Sequence, residues 1–162
     1  MAGSYRFRDL LERWGLSSLK INVHFLEAEF KPQDADRAAA WELYIELLTR
    51  VTTQRLDPDE GDEAAALDSL HALFGETREI LRRNGSGCTE FVKLAIPVLN
   101  QVIRPVTTKW HPRLRKGAFN EKSACDEFRS DLARIQPKLR GFTKALAEMS
   151  EVEDLTELED AT

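Results

Sequence analysis

Apolar side chains recur every three or four residues along most of the chain and alternate strictly with polar ones in one place only. The first pattern predicts helices with one buried face, and the second a half-buried strand. A short first helix is predicted over Tyr5 to Trp14, with Phe7, Leu10, Leu11 and Trp14 on one side and Gly15 ending it. A second runs from an N-capping Asp34 through Gln54, with the rows Trp41, Tyr44, Ile45, Leu48 and Leu43, Leu47, Val51. A third covers Asp62 to Asn84, buries Leu67, Leu70, Phe74 and Leu81, and is interrupted at Gly75. The last starts near Ser123. Its seam of Phe128, Leu132, Ile135, Leu139, Phe142, Leu146 and Met149 steps by fours and threes, as in bundle packing, across a local bend at Pro137.

The alternating stretch is Leu19, Ile21, Val23 and Phe25 against Lys20, Asn22 and His24. The phase flips at Leu26 and continues through Ala28 and Phe30, which predicts one β segment near 19–30 with a bulge. A lone strand leaves its backbone donors and acceptors without partners. Three arrangements answer that: a hairpin with the first residues, an extended segment across the helices, or pairing with the same strand of a second copy. The third gives a C2 homodimer through Ile21, Val23 and Phe25, and an oligomer contact is expected there.

Between these elements lies the stretch from Cys88 to Lys116. From Phe91 to Ile103 it is apolar over most of a helix circumference (Phe91, Ala95, Val98 and Val102 beside Ile96, Leu99 and Ile103), so other helices should surround it. Pro97 predicts a kink or open turn near Lys93. Beyond it, Arg104, Lys109, Arg113, Arg115 and Lys116 bring five positive charges with no carboxylate among them, interleaved with Thr107, Thr108, Trp110 and His111. The fold expected is all-α in the main: an irregular four- to five-helix bundle around residues 91–103, with the short β segment near 19–30. Residues 1–150 form one domain and 151–162 an acidic tail.

Composition changes this picture in one respect. With 42% hydrophobic residues, 31% charged residues and a net charge of −5, the chain reads as globular, and bulk binding of nucleic acid is not expected. The basic segment is therefore a local reversal of sign. Cations beside an aromatic face and hydroxyls suit a small anionic ligand such as a nucleotide or oligonucleotide, held by Arg104, Lys109, Trp110, His111, Arg113 and Arg115, with His111 donating to a phosphate oxygen. The competing reading makes Trp110 a core anchor and the cations a solvated, ion-paired face. The acidic residues from Glu151 onward complement the segment, which raises the expectation of a tail that covers it until a ligand displaces it.

Catalytic and metal-binding patterns are sparse. His24, His71 and His111 are scattered without ligand spacing, no phosphate-binding loop occurs, and neither a metal nor a cofactor is expected. Cys88 at a helix start is the better thiolate candidate of the two cysteines. Asp57, Asp59 and Glu60 read as turn solvation and a weak cation site. No early apolar run suggests a secretory signal or membrane span, and two cysteines suit a reduced, cytoplasmic chain.

The segments R-P-V-T-T-K-W-H-P-R-L (Arg104 to Leu114) and F-R-S-D-L-A-R-I-Q (Phe128 to Gln136) resemble an uncharacterised family of small bacterial helical proteins. The resemblance implies association with phage-defence or conflict genes and, without the membrane helices of some relatives, a sensor, adaptor or regulator. It carries over no catalytic residue. The leading expectation is a non-enzymatic accessory or regulatory protein that binds a protein partner. A sensor of a small anionic ligand comes second, and a thiol-dependent enzyme acting through Cys88 third.

Overall fold

The computed structural model describes residues 3–50, 56–57, 59 and 62–159. Among them the architecture is all-α, built from α1 (Phe7–Arg13), α2 (Val23–Glu27), α3 (Asp34–Leu48), α4 (Glu63–Asn84), α5 (Thr89–Val98), α6 (Arg104–Arg115) and α7 (Lys122–Ser150). The predicted end of the second helix, at Val51 to Gln54, lies outside the described residues.

The predicted strand is not formed. Its place is taken by irregular backbone up to Asn22 and then by α2, whose first turn is capped by the Asn22 side chain accepting from His24 N at 2.8 Å. The described residues offer this stretch no second strand to pair with, and local bonds such as Leu26 N to Asn22 O satisfy the backbone instead. Among the described residues, what remains of β structure is one antiparallel bridge between Arg6 and Glu29. Phe7 N donates to Ala28 O at 3.0 Å and Phe30 N to Tyr5 O at 2.8 Å, so the first residues supply the partner within the chain. Phe30 is buried there between Phe7, stacked at 5.1 Å, and Trp14, edge-on at 6.0 Å.

Helix α3 lies along α7, with α4 and α5 also against it. Its N-terminus departs from expectation: Gln33 is the N-cap, and Asp34 falls inside the first turn. Asp36, fully buried, accepts from Gln33 N at 2.8 Å through one oxygen and from Phe91 N at 2.9 Å through the other. One carboxylate thus satisfies otherwise orphaned amides at the starts of both α3 and α5. Tyr44, Leu43 and Leu47 face inward, whereas Trp41 and Ile45 stand on the solvent side.

The core follows the predicted periodicity closely in α7, where every seam residue is buried except the half-buried Ile135. Pro137 lies inside this helix, and the carbonyl it deprives of a donor belongs to the exposed Ala133, open to water. Helix α4 passes through Gly75 without interruption. At Gly141 α7 presses on the turn after α1: a β-carbon there would lie 2.2 Å from Trp14 O, so only glycine fits. Trp14 Nε1 also donates to Glu148 at 2.6 Å, one α7 carboxylate that pairs with Arg13 as well.

The central stretch is a nearly continuous rod made of α5, a π turn at Leu99–Ile103, and α6. Phe91, Leu94, Ala95, Val98, Leu99, Val102 and Ile103 are buried, while Ile96 is partly exposed. The opening expected near Lys93 comes later, in the π turn, where Arg104 N reaches five residues back to Leu99 O. Pro105 has no N–H to offer the carbonyl four residues before it, and the wider turn takes up one extra residue instead.

Candidate functional site

Helix α6 presents three faces, and the basic residues of the sequence divide between two of them. The inner face carries Val106 and Trp110. Trp110 is fully buried, stacks on Phe119 at 5.5 Å, meets Phe128 edge-on at 5.5 Å, and donates its indole N–H to Asp131 Oδ2 at 2.9 Å. A ligand cannot reach this ring, which corrects its placement among ligand-binding groups: the apolar bulk of an indole gains more from the core than from the surface.

The second face turns toward α7 and is neutralised. Lys109 Nζ lies 2.6 Å from Asp131 and 3.0 Å from Glu127, and Arg113 lies 3.4 Å from Glu127. Hydrogen bonding to Asp131 and then Glu127 raises the Lys109 ammonium above its ordinary value. Burial alone would raise Asp131, but the bonds from Lys109 and Trp110 outweigh it and hold the carboxyl below its ordinary value. Lys109 and Arg113 therefore belong to the α6–α7 packing and leave the candidate site.

The third face turns toward α4, where Arg104, Thr107, Thr108, His111, Pro112 and Arg115 meet His71, Phe74 and Arg78 across a groove of about 460 Å³. Two contacts set the helix directions. His71 and His111 stand edge to face at 4.9 Å, and the Arg104 guanidinium lies 4.5 Å above Phe74. The pairing 71 with 111 and 74 with 104 makes α4 and α6 antiparallel. Arg78 and Arg104 thus share one end of the groove, and His71, His111 and Arg115 the other.

None of the residues lining the groove is a carboxylate, and Arg78, Arg104 and Arg115 make no ion pair among the described residues. Arg104 is held instead by Asn100 Oδ1, at 3.0 and 3.1 Å, and by the Phe74 ring, so its charge is oriented without being cancelled. The Thr107 hydroxyl donates to Arg104 O at 3.1 Å, which leaves the exposed Thr108 as the open hydroxyl. His111 Nε2 is buried and has no hydrogen-bond partner among the described residues. Burial and then the neighbouring His71 push the His111 pKa down, with Arg115 acting in the same direction and Asp68 opposing.

Three of the predicted ligand groups, Arg104, His111 and Arg115, are thus brought together. His71 and Arg78 were not among those predicted, because they come from a helix more than twenty residues earlier in the chain. Their spacing of seven on the polar side of α4 was the available signal.

Elsewhere, Ile21 is half-buried, while Val23 and Phe25 are 62% and 42% exposed on α2 rather than aligned on a strand. The Cys88 thiol is buried, bonds to Gly85 O at 2.9 Å, and is pushed up by burial and then by Asp36, opposite to the direction expected of a thiolate at a helix start. The tail does not cover the groove as far as Glu159. Tyr44 Oη accepts from Leu155 N at 2.8 Å and bonds Glu153 O at 3.2 Å, which fixes this segment on α3. Glu60 lies outside the described residues. Among those described, no group of His, Cys, Asp and Glu is arranged to hold a metal, and no helix is long and apolar enough to cross a membrane. Comparison of the chain with protein-family models, with curated proteins and with solved structures gave no match.

Proposed function

We propose that this chain binds a phosphate-bearing anion in the α4–α6 groove and acts as a sensor or regulatory module rather than through chemistry of its own. One observation carries the reading. The chain pairs its cations with carboxylates on the α7 side of α6, yet among the described residues three guanidinium groups around a single groove on the α4 side have no carboxylate partner. In an acidic protein, such a concentration of like charge costs stability unless a counter-charge arrives. Arginine's planar fork suits phosphate oxygens in particular.

Calorimetric titration with tripolyphosphate at low and high ionic strength tests this. Saturable binding that weakens with salt and is lost in Arg104→Gln and Arg78→Gln, but kept in Arg113→Gln, is the expected result. Absence of binding at low salt would overturn the proposal.

A second reading, binding of a protein partner, is favoured by the exposed Val23 and Phe25 beside an apolar cleft lined by Leu81, Cys88 and Val92. If the partner is a second copy, light scattering should give twice the chain mass of 18.5 kDa, and Val23→Asp should return it to the single-chain value.

A further inference from the structure

We infer that the ligand of this groove is a linear chain of linked phosphates, gripped at two separate poles and read without regard to any base it carries. The inference rests on the anion-binding reading and narrows it.

The geometry of α6 separates the poles. Arg104 and Arg115 are eleven residues apart on one helix, about 16 Å along its axis, and Arg104 and His111 are seven apart, about 10 Å. Arg104 cannot swing toward the far end without giving up its anchors. Asn100 draws its guanidinium toward the N-terminal side, and Phe74 lies beneath it. On α4, Arg78 and His71 are again seven residues apart, and the antiparallel packing sets each beside its counterpart: Arg78 with Arg104, His71 with His111 and Arg115. A single tetrahedral oxyanion, with its oxygens only a bond or two apart, satisfies one pole and leaves the other bare. Two phosphates joined by a flexible backbone satisfy both, with Thr108 between them to donate to an intervening oxygen.

The lining also fixes what is not read. Stacking on an aromatic face is the general means by which proteins hold bases in single strands. Here Trp110 is fully buried, Phe74 is 7% exposed beneath the Arg104 guanidinium, and the exposed His71 ring is engaged edge to face with His111 at 4.9 Å. The groove therefore recognises spacing of charge. Inorganic polyphosphate and single-stranded nucleic acid share that chemistry and differ in the spacing of their phosphates.

Titration of the full chain with orthophosphate, tripolyphosphate, long linear polyphosphate, oligothymidylate and oligoadenylate separates the alternatives. The expected result is that a long chain binds at least about tenfold more tightly than orthophosphate. Arg104→Gln and Arg115→Gln should each weaken it by about tenfold and together by about a hundredfold, as for independent charge-assisted contacts. Preference for polyphosphate identifies that source. Equal and tighter binding of the two oligonucleotides identifies a nucleic-acid backbone. If orthophosphate binds as tightly as any chain, or if only one of the two arginines matters, the two-pole proposal is overturned while the anion-binding reading stands. If no phosphate compound binds, that reading itself falls. Both arginines are exposed, and circular dichroism of each variant verifies that the fold is kept.

Discussion

The indole of Trp110 and the ammonium of Lys109 converge on one oxygen of Asp131, at 2.9 and 2.6 Å. This shared acceptor joins α6 to α7 and fixes which face of α6 is left for the groove.

Replacing Asp131 with Ala leaves the buried Trp110 N–H without its acceptor and Lys109 with Glu127 alone, and should destabilise the fold by about 2 kcal/mol in urea unfolding. The contribution is also pH-dependent. Because the folded carboxyl titrates below its ordinary value of 3.8, its stabilisation is complete above that value and disappears as pH falls through the lower, folded one. The Ala variant should lack this part of the acid transition.

Two glycines should respond oppositely to the same substitution. Gly141→Ala drives a methyl group to 2.2 Å from Trp14 O, a backbone atom that cannot step aside, and should cost at least about 2 kcal/mol. At Gly75 an added β-carbon meets nothing within 4 Å, and the site is an exposed helix interior. Gly75→Ala should stabilise by about 0.5–1 kcal/mol. Thermal melts of the two variants check both signs.

Asp36→Ala removes an acceptor from two helix starts at once. The expected loss is about 2–3 kcal/mol, larger than for an ordinary cap, and hydrogen exchange at Phe91 N should quicken more than at amides in the middle of α7.

His111 titrates below its ordinary value of 6.5 in the fold. Its contribution to stability is therefore complete above 6.5 and is lost as pH falls through its folded value. If the groove binds a phosphate chain as proposed, the ligand favours the imidazolium, against the repulsion of His71 and Arg115 and with the help of Asp68. Affinity should rise on going from neutral to mildly acidic pH, and calorimetry should show proton uptake. His111→Asn should flatten both dependences.

Much of the fold is legible from spacing because burial obeys helical period wherever a helix is long enough to repeat it. The α7 seam and the buried side of α4 are examples. The stretch 19–30 misleads because it is short: four alternating apolar positions fit a strand or an irregular turn equally well, and only the lack of a full partner strand among the described residues decides. The candidate site was half legible. The run from Arg104 to Arg115 declares its charge, but a sequence does not show which of six neighbouring side chains a carboxylate on another helix will claim. Glu127 and Asp131 took Lys109 and Arg113, the core took Trp110, and α4 supplied His71 and Arg78 from afar.

The π turn at Leu99–Ile103 sets the phase of everything after it. Rewinding it as ordinary α-helix with every residue kept would rotate α6 by about 100° about its axis. Arg104, His111 and Arg115 would then no longer look across at His71 and Arg78. A change of winding alone would thus dismantle the groove while sparing every residue that lines it, which makes the turn that absorbs this one residue the alignment key of the site.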